Sequence, residues 1–336
     1  MQPLEALNGL DAYRQRLADA GFWEPYVRAA CERSLRAGCR RVRSGLVGTY
    51  PTFVVDECRV VKFFGRLFEG ALAFMTEVQA AQLLALDPAI PAPPIISSGE
   101  LLPGARDWAW PYLIYAYIPG VSIGEVYGRV CPGDRIALAR ELGVITRRVH
   151  ALPVAGAILW PANWERYAAL LEAQRPGCRA RQAEWQSMPE HLLAQVDSFL
   201  VPIEELVDTG RTPHMIHSDI TGDHLLGRLD GDRWTTLGLI DFGDAMIGDL
   251  FYEIIAIHVD MFRYDKSMLR AFLDGYNLDA RRRDRFHVKA LTVALLHLFS
   301  TLGDRVFAPF PRAREAATLD ELAALLWDVD APGPGG

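Results

Sequence analysis

Lysine is nearly missing from this sequence. Of the 35 lysines and arginines only Lys62, Lys266 and Lys289 are lysines, so arginine carries almost all the positive charge. A lysine inside an apolar run then needs a reason, and Lys62 in RVVKFF is such a lysine. Cysteine is sparse and odd in number. Cys31, Cys39, Cys58, Cys131 and Cys178 contain no C-x-x-C pair, which argues against a disulfide framework or a zinc site and leaves them as small, mostly buried thiols. No stretch approaches the ~20 apolar residues that a membrane span needs. The opening MQPLEALNGLDAYRQRL has no basic segment ahead of an apolar one. A cytoplasmic monomer with no membrane contact is therefore expected. The formal net charge of -7 provides no basic face for nucleic acid and favours a cationic or neutral partner. Internal repeats are absent, and no G-x-S-x-G elbow supports serine hydrolase chemistry.

The chain has 336 residues with 50% hydrophobic content, enough for one large core or two modest ones. From Leu10 to Gly38 apolar residues recur at three- and four-residue spacing and predict helix. Two strand-like stretches follow, RRVRSGLVGTYPTFVVD and RVVKFF, joined by a turn at Asp56-Glu57. Helical spacing returns in ALAFMTEVQAAQLLALD, and YLIYAYIPGVSI reads as a strand running into a Pro-Gly turn. From about Asp134 helical patterns dominate, including Asn163 to Ala173, Gln182 to Val201 and Leu250 to Trp327. The break near Gly120 predicts residues 1-118 as a sheet-containing lobe with a helical extension and 119-330 as a helical lobe. The tail 331-336, APGPGG, is expected to be disordered.

One short region interrupts the second lobe and holds most of the clustered aspartate and histidine. It contains His217-Ser218-Asp219-Ile220-Thr221-Gly222-Asp223-His224 and then Ile240-Asp241-Phe242-Gly243-Asp244. Phosphoryl transfer needs one carboxylate to orient and deprotonate the acceptor hydroxyl and others to hold magnesium on the phosphates. Asp219 fits the first role and Asp241 the second. Single loop aspartates often do no more than cap turns, and Asp219, Asp223 and Asp244 are each open to that reading alone. Gly45 and Gly48 in SGLVGTY would let backbone approach phosphates, although the same residues suit an ordinary hairpin.

The paired loops resemble those of the aminoglycoside phosphotransferase and choline kinase superfamily, as do RVHALP and AMIGDLFYEIIAI. Within it the chain is most similar to the hygromycin B phosphotransferases of the 7''-hydroxyl type, through GFWEPYVRAA, VVKFFG, SGELLPGARDWAWPYLI, LARELG and HVDMFRYDKSMLRAFLDG. The resemblance implies an α+β, bilobal protein-kinase-like fold with a small antiparallel-sheet N-lobe and a larger, mainly helical C-lobe. It implies Lys62 as the contact to the nucleotide phosphates, Glu77 as its ion-pair partner, and backbone of Ala116 and Ile118 against the purine. The donor would be ATP or GTP with Mg2+.

One position departs from the family. Where its first loop ends in a magnesium-binding asparagine this chain has His224, so Asp223, a water, or a cationic His224 on a phosphate oxygen would complete the site. Asp249 and Glu253 match positions that steady the catalytic loops. Asp244, Asp260 and Asp265 are candidates to bind an acceptor, as acidic residues would suit an aminocyclitol. The expected reaction is transfer to a hydroxyl of a hygromycin-like acceptor, conferring resistance. The alternatives are a nucleoside antibiotic or metabolite as acceptor, or a nucleotide-binding module without catalysis.

Overall fold

The computed structural model describes residues 4-36 and 38-331; the predicted tail lies, from 332 onward, outside them. The chain divides into two compact units. The first is Met1–Ser122 with Asp223–Arg228 and Thr235–Asp244, and the second is Ile123–Gly222 with Leu229–Trp234 and Ala245–Gly336.

Among the described residues of the first unit, β1 (Val42–Ser44), β2 (Thr52–Val55), β3 (Arg59–Phe63), β4 (Ile95–Glu100) and β5 (Pro111–Ala116) form one antiparallel sheet in the order β1-β2-β3-β5-β4. The β2–β3 turn at Asp56 and Glu57 uses positive φ at both residues, 53° and 49°, the requirement of a tight hairpin matched to strand twist. Alternation along β3 sorts its side chains. Val61 and Phe63 enter a core with Trp23, Phe53, Tyr112 and Ile114, in which Trp23 from the helix Ala20–Leu35 stacks on Phe63 at 5.0 Å. Lys62 and Phe64 take the other face, where Phe64 and Leu113 pack with Ala73 of the helix Gly70–Leu84. Strand β4 has no strong sequence signature, because IISSGE mixes two β-formers with serine and glycine. Pairing with β5 makes it a strand, and its burial alternates residue by residue.

In the second unit the helix Pro132–His150 crosses Lys266–Tyr276 at very short range. A Cβ on Gly143 would stand 2.1 Å from Phe272 O, and one on Gly275 2.0 Å from Arg140 O. Glycine is required there because backbone meets backbone. The helical pattern predicted from Gln182 to Val201 takes the form of short helices, Cys178–Glu184, Glu190–Leu193 and Val196–Phe199. Pro189 caps the start of Glu190–Leu193, and Gln186 turns the chain at φ 51°. A short antiparallel pair, His214–Ile216 with Met246–Gly248, carries the His217 loop at its end. No helix among the described residues is long and apolar enough to cross a membrane.

Candidate active site

Within the first unit the lone apolar-run lysine meets two carboxylates. Lys62 Nζ donates to Glu77 Oε1 at 2.5 Å and to Asp241 Oδ1 at 2.8 Å. Lys62 and Glu77 are buried, 7% and 5% exposed, whereas the Asp241 side chain keeps 36% of its surface open. Burial opposes the charge on Lys62, but Asp241 and then Glu77 outweigh it and hold the ammonium above its usual range. The rings of Tyr50 and Phe64 stand 5.6 and 5.5 Å from Nζ. Tyr115 donates its hydroxyl to the other oxygen of Glu77. The hydrogen-bonding role of Tyr115 gave no sequence signal.

The Asp241 loop is tied to the segment of His224, since Ile240 N–H donates to His224 O at 3.0 Å. His224 Nε2 comes to 4.0 Å from Asp241 Oδ2. Asp223, beside it, accepts from Ser122 Oγ at 3.4 Å. Magnesium is ordinarily held by one or two carboxylates together with phosphate oxygens and water. The Asp241 side chain, with 36% of its surface open, is a carboxylate of the kind that demand calls for; among the described residues no three His, Cys, Asp or Glu groups gather into a cluster that could hold a metal by itself. Asp244 follows Asp241 in the short turn Phe242–Asp244 and lies in the first unit, not with the other candidate acceptor residues.

Gly45 N–H pairs with Thr52 O at 2.8 Å, and a Cβ there would press to 3.1 Å on Thr52, so Gly45 has a structural reason; Gly48 has no neighbour within 4 Å of such a Cβ. Ala116 donates its N–H to Pro94 O at 3.1 Å. The Ile118 side chain rests against Gly238, where a Cβ would stand 2.2 Å from Ile118 Cδ1.

The second unit holds Asp219 in a tightly tethered loop. Ser218, at φ 68°, donates its N–H to Glu253 Oε2 at 3.2 Å. Asp219 N–H reaches His217 Nδ1 at 3.4 Å, and Thr221 N–H donates to Asp219 O at 3.0 Å. Gly222 is held at both ends of its backbone, its N–H by Asp260 Oδ2 at 2.9 Å and its carbonyl by Gly124 N–H at 3.0 Å. Asp260 sits in the π-helical turn Ile257–Met261, a distortion frequent at functional sites. Asp249 caps the helix Leu250–Ala256 through Phe251 N–H and pairs with Arg282 at 2.5 and 2.7 Å. Below lie His150 and His214, stacked at 4.9 Å; burial lowers them to about 3 and about 4, so both are neutral. Asp265 caps the helix Lys266–Tyr276, accepting from Ser267 and Met268 N–H. Arg282 and the two histidines come from distant segments and were not singled out by the sequence.

A family model for the phosphotransferase enzyme family matches residues 47-287. The chain belongs to the phosphotransferase enzyme family. Solved structures share its kinase-like fold. The GDP complex of aminoglycoside 2'-phosphotransferase-IIIa superposes with a TM-score of 0.64 at 19% identity, covering 93% of this chain and 97% of that one. The streptomycin-ATP-APH(2")-IIa ternary complex gives 0.56 at 17% identity, covering 94% and 97%. By sequence the chain is 23% identical over 273 residues to Lysine-specific demethylase JMJ21 of Arabidopsis thaliana, a match covering 66% of this chain and 29% of that relative's length. The family match takes in Lys62, Glu77, Asp219 and Asp241, all within the matched residues.

Proposed function

We propose that the chain transfers the γ-phosphoryl group of ATP or GTP to a hydroxyl of a small polar acceptor. The observation that carries this reading is Lys62 shared between buried Glu77 and half-open Asp241. A charged lysine at that place would grip nucleotide phosphates, and the open carboxylate would hold magnesium, with Asp223 or His224 completing its shell. Magnesium, when bound there, neutralises charge on the phosphates. Gly45, Gly48 and the backbone of Ala116 and Ile118 would border the nucleotide. Residues 1-118 are assigned to nucleotide binding and 119-330 to the catalytic and metal loops and the acceptor site. Asp219 takes the hydroxyl proton as the acceptor oxygen bonds to the γ-phosphorus, and the nucleoside diphosphate leaves with the electrons of the broken P–O bond. GDP and ATP in the complexes of the two structural relatives support a nucleotide donor.

For the acceptor we favour an aminoglycoside-like antibiotic, and within that class a hygromycin-like aminocyclitol, with resistance as the biological outcome. The fold relatives and the acidic Asp260 and Asp265 in the second unit support a cationic acceptor. Mass spectrometry of reactions with MgATP or MgGTP across aminoglycosides, aminocyclitols and nucleoside antibiotics tests this. A mass gain of one phosphate on hygromycin B is expected; gain only on a nucleoside or metabolite replaces the acceptor. His224 beside Asp241 favours a second reading, a module that binds nucleotide without transferring it. Tight nucleotide binding with no phosphorylated product from any acceptor would select that reading.

A further inference from the structure

We propose that Tyr115 is a positioning residue for Lys62, acting through Glu77; this rests on the reading above, in which Lys62 meets the nucleotide phosphates. Strand β5 pairs with β3 so that Leu113 stands opposite Lys62. Side chains alternate along a strand, so Tyr115, two residues on, shares the face of Lys62 and Leu113. That is the face covered by the helix Gly70–Leu84, which carries Glu77. The tyrosine hydroxyl therefore enters the layer where the glutamate is buried, and it donates to Glu77 Oε2.

Each carboxylate oxygen of Glu77 thus has its own donor, Lys62 on Oε1 at 2.5 Å and Tyr115 on Oε2. A carboxylate rotates easily about its last torsion, which is broad and two-fold. Contacts at both oxygens fix that torsion, and the direction of Oε1 then fixes where Nζ stands. Without the tyrosine hydroxyl a buried carboxylate oxygen loses its partner. The torsion is then released, and Lys62 is left to its second partner, Asp241, at 2.8 Å. Packing alone does not require the hydroxyl, since phenylalanine would fill the same space against the cluster of Tyr50, Phe64, Ala73 and Leu113.

The test compares the parent with Tyr115→Phe, Glu77→Gln and the double variant, measuring affinity for MgATP and MgGTP by calorimetry and folding by thermal melting. Tyr115→Phe should weaken both nucleotides about tenfold, as loss of a hydrogen bond to a charged group does. The loss should be equal for ATP and GTP, and the double variant should bind no more weakly than Glu77→Gln alone. Parent-like binding by Tyr115→Phe, or additive weakening in the double variant, would overturn the proposal. Unequal loss between ATP and GTP would make Tyr115 a wall of the base pocket and overturn it as well. If Tyr115→Phe does not fold, the double variant leaves no buried charge half-paired, and its comparison with Glu77→Gln decides. Failure of the parent to bind either nucleotide removes the functional reading itself, and this inference with it.

Discussion

Lys62 Nζ lies 2.8 Å from Asp241 Oδ1 while its other bond is to a glutamate on a different element. The same ammonium therefore serves as anchor for the helix carrying Glu77 and as neighbour of the carboxylate assigned to magnesium. Removing it has two separable effects. Lys62→Met should unfold more easily by about 3–5 kcal/mol, because Glu77 is left buried without its cation. Adding Glu77→Leu should recover much of that stability, as replacing a whole buried pair with apolar groups often does. Activity should not return. Chemical denaturation alongside steady-state kinetics checks both halves, and recovered activity in the double variant would remove Lys62 from the mechanism.

Asp219→Asn should lower kcat by roughly 10²–10⁴-fold, the usual weight of a general base. Its loop is held through backbone contacts from Ser218, Thr221 and Gly222 that the substitution leaves in place. Melting temperature and nucleotide affinity should match the parent. A near-parental rate would move the base elsewhere.

His224→Asn should keep or raise kcat/KM and lower the magnesium concentration needed for half-maximal rate, since an amide oxygen suits a hard cation better than imidazole. Magnesium titrations of parent and variant read this directly. Loss of activity at every magnesium concentration would give His224 a role of its own.

Stability should fall on acidification below about pH 6.5. His150 is lowered to about 3, and His214, His258 and His297 to about 4, all by burial. An unfolded histidine titrates near 6.5. Between these values the unfolded chain binds protons that the folded one refuses, so stability rises with pH through this window and is lost as pH falls through it. The slope approaches about 1.4 kcal/mol per pH unit for each histidine. Denaturant unfolding at pH 7, 6 and 5 measures it, and equal stability at all three would show that these rings take up protons without unfolding.

Gly143→Ala should destabilise by about 1–3 kcal/mol or more, as overpacking does, because the new methyl meets Phe272 O at 2.1 Å. A parental melting temperature would mean the two helices can part without cost.

Local chemistry was legible in the sequence wherever it was carried by a run of neighbouring residues. The β-branched run around Lys62, the turn at Asp56-Glu57, the helix bearing Glu77 and the two aspartate loops all announce themselves within a few positions, because strand alternation, turn geometry and helical spacing are short-range properties. Contacts that depend on closure of the chain did not. The bond of Tyr115 to Glu77 cannot be read from YLIYAY until β5 is set beside β3, and Arg282 reads as part of an arginine run until it reaches Asp249. Asp260 illustrates both sides: its acidity was visible, while its bond to Gly222 N–H needed the π-helical turn.

The chain enters the first unit three times, and its last visit ends at Asp244. During synthesis from the N-terminus, the sheet β1 to β5 and the helix Gly70–Leu84 emerge long before Asp241, the second partner of Lys62. Until that late segment arrives, Lys62 and Glu77 are a pair without their third member. A ribosome-stalled fragment ending before Asp223 would contain most of the first unit and lack the carboxylate of Asp241. The order of translation therefore makes the sheet available well before the trio of Lys62, Glu77 and Asp241 can be completed.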